Sequence, residues 1–506
     1  MSDKPISKGR RRTLKLGLGG AVALPSADIL LRSPAGAVLT GATFSMADQV
    51  AAASRPNIVV IMTDDQRRIS DMDVLQKTRK MIGNNATRFE QYYCPYPLCA
   101  PSRSSFFTGQ YAHNHGVMDN SPPTGGYGKL NDNNTLPVWL QNAGYHTCHV
   151  GKYINGYGLN TLKTFVPPGW TRWNGLVDPS TYQMYGYTLN IDGMLRTYGN
   201  AAKDYQTDVL ANHAVDSIDE ALASGNPFFL SVATLAPHIE EGPNVPGRGP
   251  RPAPRHLHAY DNAALPKSPS YDEADVSDKP AAIRNLPRIS AAVEADITDH
   301  NRDRWEALLA VDDLIEKVMN KLQTTGVLNN TVVVFCSDNG IFLGEHRLKA
   351  GKARVYEEAS HLPLYIMGGG FQANVFSPQL VSTIDLAPTF VELTGATARR
   401  TMDGRSLVPI MGNLQPWPTR SLLIEAARKE AAGKNIIYKA IRDRDFLYVE
   451  YDTGEKELYD MRKGTTNYDP YQLRSRHASS AYNTIKNQLA TKLAKLKTCS
   501  GSTCNM

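Results

Sequence analysis

"RPNIVVIMTDDQ", residues 55–66, sets five apolar residues side by side without alternation and then delivers two carboxylates. A half-exposed strand alternates apolar with polar, so an unbroken β-branched run is the pattern of a strand covered on both faces, as in a parallel sheet. The motif recurs. "TLPVWLQNAGYHTCHVGK" (135–152) reads as an amphipathic helix, a stop at Gly144 and a second strand ending near Gly151. "NPFFLSVATLAPH" (226–238) and "TVVVFCSDNG" (331–340) are again apolar runs followed by polar residues. Between these two the spacing predicts a long helix from about Arg302, because Leu308, Val311, Ile315, Val318 and Leu322 step by three and four along one face. Strands alternating with helices predict an α/β fold with a doubly wound, mostly parallel sheet.

The texture changes near Thr419. "LLIEAA", "NIIYKAIRDRDFLYVEY" and "KELYDM" read as short strands joined by turns, followed by a helix over roughly 481–497. They predict a smaller α+β domain, an antiparallel sheet with one helix. Residues 239–290, rich in proline and polar groups, read as a long surface excursion.

At the other end, "GRRRTLKLGLGGAVAL" (9–24) places arginines before a short apolar segment, the layout of a twin-arginine export signal, with an Ala-x-Ala cleavage candidate after Ala37. The expected organisation is a signal over 1–37, a connector over 38–54, a catalytic domain over 55–415 and the smaller domain over 416–506. Without residues 1–37 the chain keeps 48 basic and 47 acidic residues, since seven of 55 Lys and Arg and two of 49 Asp and Glu lie in that segment. Such a balance gives no reason to expect nucleic acid. No apolar run approaches the roughly 20 residues of a membrane span.

In an open α/β sheet, ligands bind beyond the carboxyl ends of the strands. Four strand ends here carry chemistry: Asp64 and Asp65, Lys152, His238, and Asp338 with Asn339. The two Asp/Asx pairs offer hard oxygen donors, which suit Ca²⁺ or Mg²⁺ rather than Zn²⁺. A single pair would be read as a helix cap or an Asx turn; two pairs with cations nearby favour a metal site. Cys148 and Cys336 fall in strand-like runs and read as buried hydrophobes. Cys99, in "CPYPLCAPSRSSFFTG" (94–109), leaves open a disulfide with Cys94, zinc binding, and a thiolate nucleophile based on His113 or His115. None of these explains the Pro101, Ser102 and Arg103 that follow.

The segment Cys99 to Arg103 resembles the Cys-x-Pro-Ser-Arg signature of the type I sulfatases. "HNHGV", "GKYINGYG", "PPGW", "APH", "SDNG" and "GEHRLKAGK" follow in that family's order. Through "GKYINGYG", "YQTDVLANHA", "DGRSLVPI" and the terminal "CSGSTC" the chain is most similar to the N-acetylglucosamine-6-sulfatases among them. The resemblance implies an alkaline-phosphatase-like fold, oxidation of Cys99 to formylglycine by a formylglycine-generating enzyme, and a Ca²⁺ ion on Asp64, Asp65, Asp338, Asn339 and residue 99. It also implies that Arg103, Lys152, His238 and Lys352 hold the sulfate. Formylglycine hydrates to a geminal diol that attacks sulfur, and fixed cations with a divalent metal stabilise the charge that develops on the leaving group. The twin-arginine translocase, which moves folded proteins, would export the chain after that oxidation.

One departure concerns the base. Many sulfatases carry a histidine soon after the lysine of the "GK" motif, where this chain has Tyr153, Ile154 and Asn155. His115 is the candidate by its closeness in sequence to Cys99, and a structural role in a turn fits it equally well; Asn155 fills part of the vacated position. His346 stands between substrate contact and scaffold. Tyr182, Tyr185 and Tyr187 are expected mostly to pack. The expected activity is sulfuric ester hydrolysis on a sugar or aryl sulfate. Phosphonate or phosphate ester hydrolysis, and non-catalytic binding of a sulfated glycan, remain alternatives.

Overall fold

The computed structural model describes residues 55–159, 161–242, 249–412, 420–428 and 435–506. The expected export signal and connector lie outside the described residues. Strands β1 (Asn57–Thr63), β2 (Ala86–Tyr93), β3 (His146–Gly151), β4 (Arg172–Leu176), β5 (Thr188–Ile191), β6 (Met194–Thr197), β7 (Phe228–Ala233), β8 (Thr331–Ser337), β9 (His361–Leu362), β10 (Leu364–Met367) and β11 (Val375–Ser382) form one sheet. Its order is β11-β2-β10-β8-β1-β7-β3-β4-β5-β6, with β9 beside β2. The four strands expected from their apolar runs are the contiguous group β8-β1-β7-β3, and every pairing among them is parallel. Antiparallel strands flank them: β10 between β2 and β8, and the pair β5 and β6 beyond β4.

Strand β1 is buried throughout, and its side chains divide by the two-residue period of a strand. Val59 and Ile61 face a layer containing Leu210, Ala214, Ile218, Val311, Leu314, Ile315 and Leu322. Ile58, Val60 and Met62 face the opposite layer with Phe106, Phe107, Trp139, Leu140 and Phe390. The sheet is therefore the middle of three layers. Burying each such side chain contributes roughly 1.5–3 kcal/mol, so the central strands are the most strongly fixed part of the fold.

Four helices matter below: α1 (Cys99–Thr108), α2 (Gln206–Ala223), α3 (Ala291–Thr324) and α4 (Asn483–Leu496). Helix α3 starts at Ala291, earlier than the expected Arg302. Its first turns, "AAVEADITDHN", bury Ile297, His300 and Asn301 but hold too few large apolar residues for a clear period, and the Ser290 hydroxyl accepts from the Val293 N–H and caps the helix. The 239–290 excursion, where described, is less superficial than its composition implied. Ser270, Glu273, Val276, Lys279 and Ile283 are buried, and Tyr271 makes a β-bridge to Glu345.

The second sheet is antiparallel, in the order β12 (Ser421–Arg428), β13 (Ile436–Asp443), β14 (Phe446–Tyr451), β15 (Lys456–Asp460). One face takes Leu489, Leu493 and Leu496 of α4. The other packs against Tyr96, Leu98, Ala112, Val355 and Tyr356, which surround the start of α1. Cys499 and Cys504 form a disulfide, and Cys94, Cys99, Cys148 and Cys336 are buried thiols.

Candidate active site

Parallel register brings the strand ends level. Thr63 pairs with Ser337, and Met62 and Gly151 both pair with Ala233, so the residues leaving β1, β8, β7 and β3 meet on one edge. There the structure gathers Asp64, Asp65, Lys152, His238, Asp338 and Asn339, each nearly or wholly buried. Ligand atoms of Asp64, Asp65, Cys99 and His238 lie within 4.8 Å of one another.

Cys99 enters from the opposite side as the first residue of α1, where the helix dipole favours negative charge. Pro101 stands in the first turn, where a missing N–H costs nothing. Ser102 Oγ donates to the Asp338 carbonyl at 2.5 Å. Arg103 Nε donates to Asp338 Oδ2 at 2.8 Å and its Nη1 to the Lys152 carbonyl at 2.8 Å, while Nη2 lies 3.4 Å from Asp64 Oδ2. The residues after Cys99 thus bolt α1 to the ends of β8 and β3. Arg103 thus seats α1 and Asp338 through Nε and Nη1, while its buried Nη2 has no hydrogen-bond partner.

The lysines are placed one on each first-strand carboxylate. Lys152 Nζ bonds Asp64, and Lys352 Nζ bonds Asp65 and lies 2.9 Å from Cys99 Sγ. Burial alone would raise the carboxyl pKa values of Asp64 and Asp65; Lys152 for the first and Lys352 for the second, with His238, hold both below the usual range. Asp338 differs. Burial and the neighbouring Asp64 push it up to about 6 despite Arg103. Burial, reinforced by Asp64, also pushes the Cys99 thiol up to about 12, so as a cysteine it would be a poor nucleophile.

The donor set suits a hard divalent cation. Asp64, Asp65 and Asp338 supply carboxylate oxygens, and Asn339 Oδ1 is buried without a hydrogen-bond partner. Three carboxylates and three permanent cations (Arg103, Lys152, Lys352) cancel, so a bound divalent ion would leave the site positive and receptive to an anion.

His238 is 5% exposed, with Nδ1 2.7 Å from the Ile239 carbonyl and Nε2 3.6 Å from Asp65 Oδ2. Burial lowers its pKa. His115 is the one expected site residue not brought to this cluster. Its Nε2 lies 3.1 Å from Ser105 Oγ, its Nδ1 accepts from the Val117 N–H, and burial lowers its pKa to about 3. It holds the turn after α1 as a neutral ring. His346 is also scaffold: fully buried, stacked on Tyr356 at 4.2 Å and bonded through Nδ1 to Glu273 at 2.7 Å, it braces the loop that leads to Lys352.

The residue that sequence reading placed among packing aromatics is Tyr182. Tyr187 stacks on Tyr198 and Tyr185 packs on Tyr205, as expected. Tyr182 instead sits under the Lys152 ammonium, 4.8 Å from Nζ to the ring centroid, and 5.4 Å from the His238 ring. Nothing in "STYQMYGYTLN" distinguishes it from its neighbours.

The arrangement, buried carboxylates around a helix-borne side chain with fixed cations, can take an anionic ester against a metal. The family model for sulfatases matches residues 56–396, and the model for the N-sulphoglucosamine sulphohydrolase C-terminal region matches 344–499. Human N-acetylglucosamine-6-sulfatase is 32% identical over 99% of this chain and 93% of its own length. An arylsulfatase of Volvox carteri is 33% identical over 91% of this chain and 77% of its own. Among solved structures, one described as a complex with its substrate D-glucosamine-2-N,6-O-disulfate aligns with a TM-score of 0.73 at 24% identity, covering 88% of this chain and 97% of that one. A phosphonate monoester hydrolase of Agrobacterium radiobacter aligns with a TM-score of 0.63 at 20% identity over 87% and 95%, which shows a shared fold. The chain belongs to the sulfatase family, a sulfuric ester hydrolase on an alkaline-phosphatase-like fold.

Proposed function

We propose that this enzyme removes sulfate from a sugar sulfate monoester of the N-acetylglucosamine 6-sulfate class, with formylglycine made from Cys99 and with Ca²⁺ held by Asp64, Asp65, Asp338, Asn339 and residue 99. The observation that carries this reading is the placement of residue 99. Its Sγ lies 3.4 Å from Asp64 Oδ1 and 2.9 Å from Lys352 Nζ, inside the ring of oxygen donors, at the start of a helix that Ser102 and Arg103 lock in place. The sugar class is supported by similarity to human N-acetylglucosamine-6-sulfatase along nearly the whole chain.

When present, formylglycine supplies a hydrated aldehyde as nucleophile, and Ca²⁺ acts as a Lewis acid that lowers the pKa of its hydroxyl and draws off charge. The chain's own residues bind and position. Lys152 and Lys352, held by Asp64 and Asp65, present ammonium groups for the sulfate oxygens, where charge grows in the transition state. Arg103 keeps Asp338 in place from behind. His238 donates through Nδ1 to the Ile239 carbonyl, which leaves Nε2 to take up or deliver a proton at the site mouth. His238, rather than His115, therefore serves as the base.

Export through a twin-arginine signal over 1–37, after oxidation of Cys99, belongs to the same proposal, as does the division into a catalytic domain over 55–415 and a smaller one over 416–506. An extracellular sulfatase homologue of Drosophila melanogaster is 32% identical over 77% of this chain and 35% of its own length, and no described helix is long and apolar enough to cross a membrane. The test is turnover of N-acetylglucosamine 6-sulfate and 4-nitrophenyl sulfate against the phosphate and phosphonate analogues of the aryl ester. Faster release from the sulfates is expected; faster release from the phosphorus esters overturns the assignment.

A further inference from the structure

An in-line displacement at sulfur puts the departing oxygen on the side away from residue 99, towards the mouth of the site. Lys152 links the carboxylate cluster to Tyr182: its Nζ bonds Asp64 and lies 4.8 Å from the centroid of the Tyr182 ring. Tyr182 is half-buried where Lys152 and His238 are buried, so of the three it is the residue that reaches solvent. Its hydroxyl is not idle. Asn155 Nδ2 donates to Tyr182 Oη at 2.6 Å, which uses a lone pair of that oxygen and leaves the O–H free to donate elsewhere. Asn155 is 7% exposed, and its Oδ1 has no hydrogen-bond partner.

The pair is held firmly. The Tyr182 carbonyl accepts from the Glu241 N–H at 2.9 Å, and buried Gln206 donates to the Thr181 and Gln183 carbonyls at 3.0 and 2.8 Å. The loop bearing Asn155 is tied to the same segment where the Gly156 N–H donates to Asp178 at 2.6 Å. Such anchoring is what a proton donor needs and what a packing ring does not. Burial keeps the phenol protonated at ordinary pH.

We propose that Tyr182, oriented by Asn155, is the group that hands a proton to the departing alcohol oxygen. The reading rests on the sulfatase assignment of the same site. As the attacking oxygen bonds sulfur, the bond from sulfur to the ester oxygen breaks, its electron pair stays on that oxygen, and the Tyr182 Oη proton moves to it, giving the neutral alcohol. The Asn155 amide and the Lys152 ammonium stabilise the phenolate until the proton shed by the attacking hydroxyl returns to it through solvent. Tyr182 is a catalytic residue in this account and Asn155 a positioning one.

The experiment compares two leaving groups. A sugar alkoxide needs a proton to depart, whereas 4-nitrophenolate is stable as an anion. Using the full, matured chain, kcat/KM is measured on N-acetylglucosamine 6-sulfate and on 4-nitrophenyl sulfate for the wild type, Tyr182→Phe and Asn155→Ala. Tyr182→Phe is expected to lose about 10²-fold on the sugar ester, within the usual range for general acid catalysis, and at least about tenfold less on the aryl ester. Asn155→Ala should shift the ratio in the same direction by a smaller factor. The ratio does not depend on how much of a variant is folded. A Tyr182→Phe ratio equal to the wild-type value overturns the proposal and leaves the sulfatase assignment standing. A wild type that frees sulfate from neither ester overturns both.

Discussion

Asp71 and Asp338 are both fully buried carboxylates beside arginines, yet they sit in opposite kinds of surroundings. Every oxygen of Asp71 is answered. Its Oδ2 accepts from Arg304 Nη2 at 2.7 Å and the Arg67 N–H at 3.0 Å, and its Oδ1 accepts from Trp305 Nε1 at 3.1 Å. Burial would raise its pKa, but Arg304 and Arg67 bring it below the usual carboxylate range. Asp338 shares its cavity with Asp64 and is pushed up to about 6 with Arg103 already against it. Next to it Asn339 Oδ1 has no partner. One aspartate closes a structural junction between the segment after β1 and helix α3. The other also has both oxygens hydrogen-bonded, Oδ1 by the Asp65 and Asn339 N–H groups and Oδ2 by Arg103, but it is packed against a second carboxylate and beside an amide oxygen without a partner, which is how a site prepared for a cation and an anion differs from a buried ion pair.

The contrast can be broken at either end. Asp71→Ala should destabilise the fold by about 3–5 kcal/mol, because Arg304 would be left buried without its counter-charge. Because the pKa of Asp71 is lowered by folding, its contribution is present above the ordinary carboxylate range and disappears as pH falls through its lowered value. Urea unfolding across pH should therefore show a shallower acid-side loss of stability in Asp71→Ala than in the wild type. Asp338→Asn should fold well and lose about 10²-fold in kcat, some 2.7 kcal/mol of barrier. Added Ca²⁺ should raise the thermal midpoint of the wild type, since it binds the native state, and raise that of Asp338→Asn far less. If Asp338→Asn instead unfolds like Asp71→Ala with no change in metal response, the two carboxylates are the same kind of feature.

A third and smaller effect sharpens the structural side. The Cys499–Cys504 disulfide closes a short loop whose Cys499 carbonyl accepts from Asn114 Nδ2 at 2.8 Å, and whose Gly501 N–H donates to Asp403 at 2.7 Å. Replacing both cysteines by serine should cost at most about 2 kcal/mol on the loop-entropy account and leave kcat nearly unchanged. Chemical denaturation paired with an aryl sulfatase assay would read both.

The central strands and the site edge were legible for one reason. In β1, β3, β7 and β8 the apolar run must be long enough to be covered on both faces, and the polar residues that end each run stand where parallel register makes them meet. Cys99 was legible through the residues after it, and their hydrogen bonds explain part of the pattern: Ser102 and Arg103 hold the helix against the ends of β8 and β3. His115, near Cys99 in sequence, bonds to Ser105 and Val117 after α1, because nearness in sequence says little once a helix intervenes. The first turns of α3 offer only Val293 and Ile297 as large apolar residues, too few for a period to be read. Tyr182 was hidden for a related cause: an aromatic in a tyrosine-rich stretch shows its function only when the fold sets it beside Lys152.

The most direct measurement is peptide mass spectrometry across residues 94–103 of protein with measured sulfatase activity. The account predicts that residue 99 carries the mass of an aldehyde or its hydrate in place of the thiol, in proportion to activity. Full activity from protein in which Cys99 is wholly unmodified would contradict it.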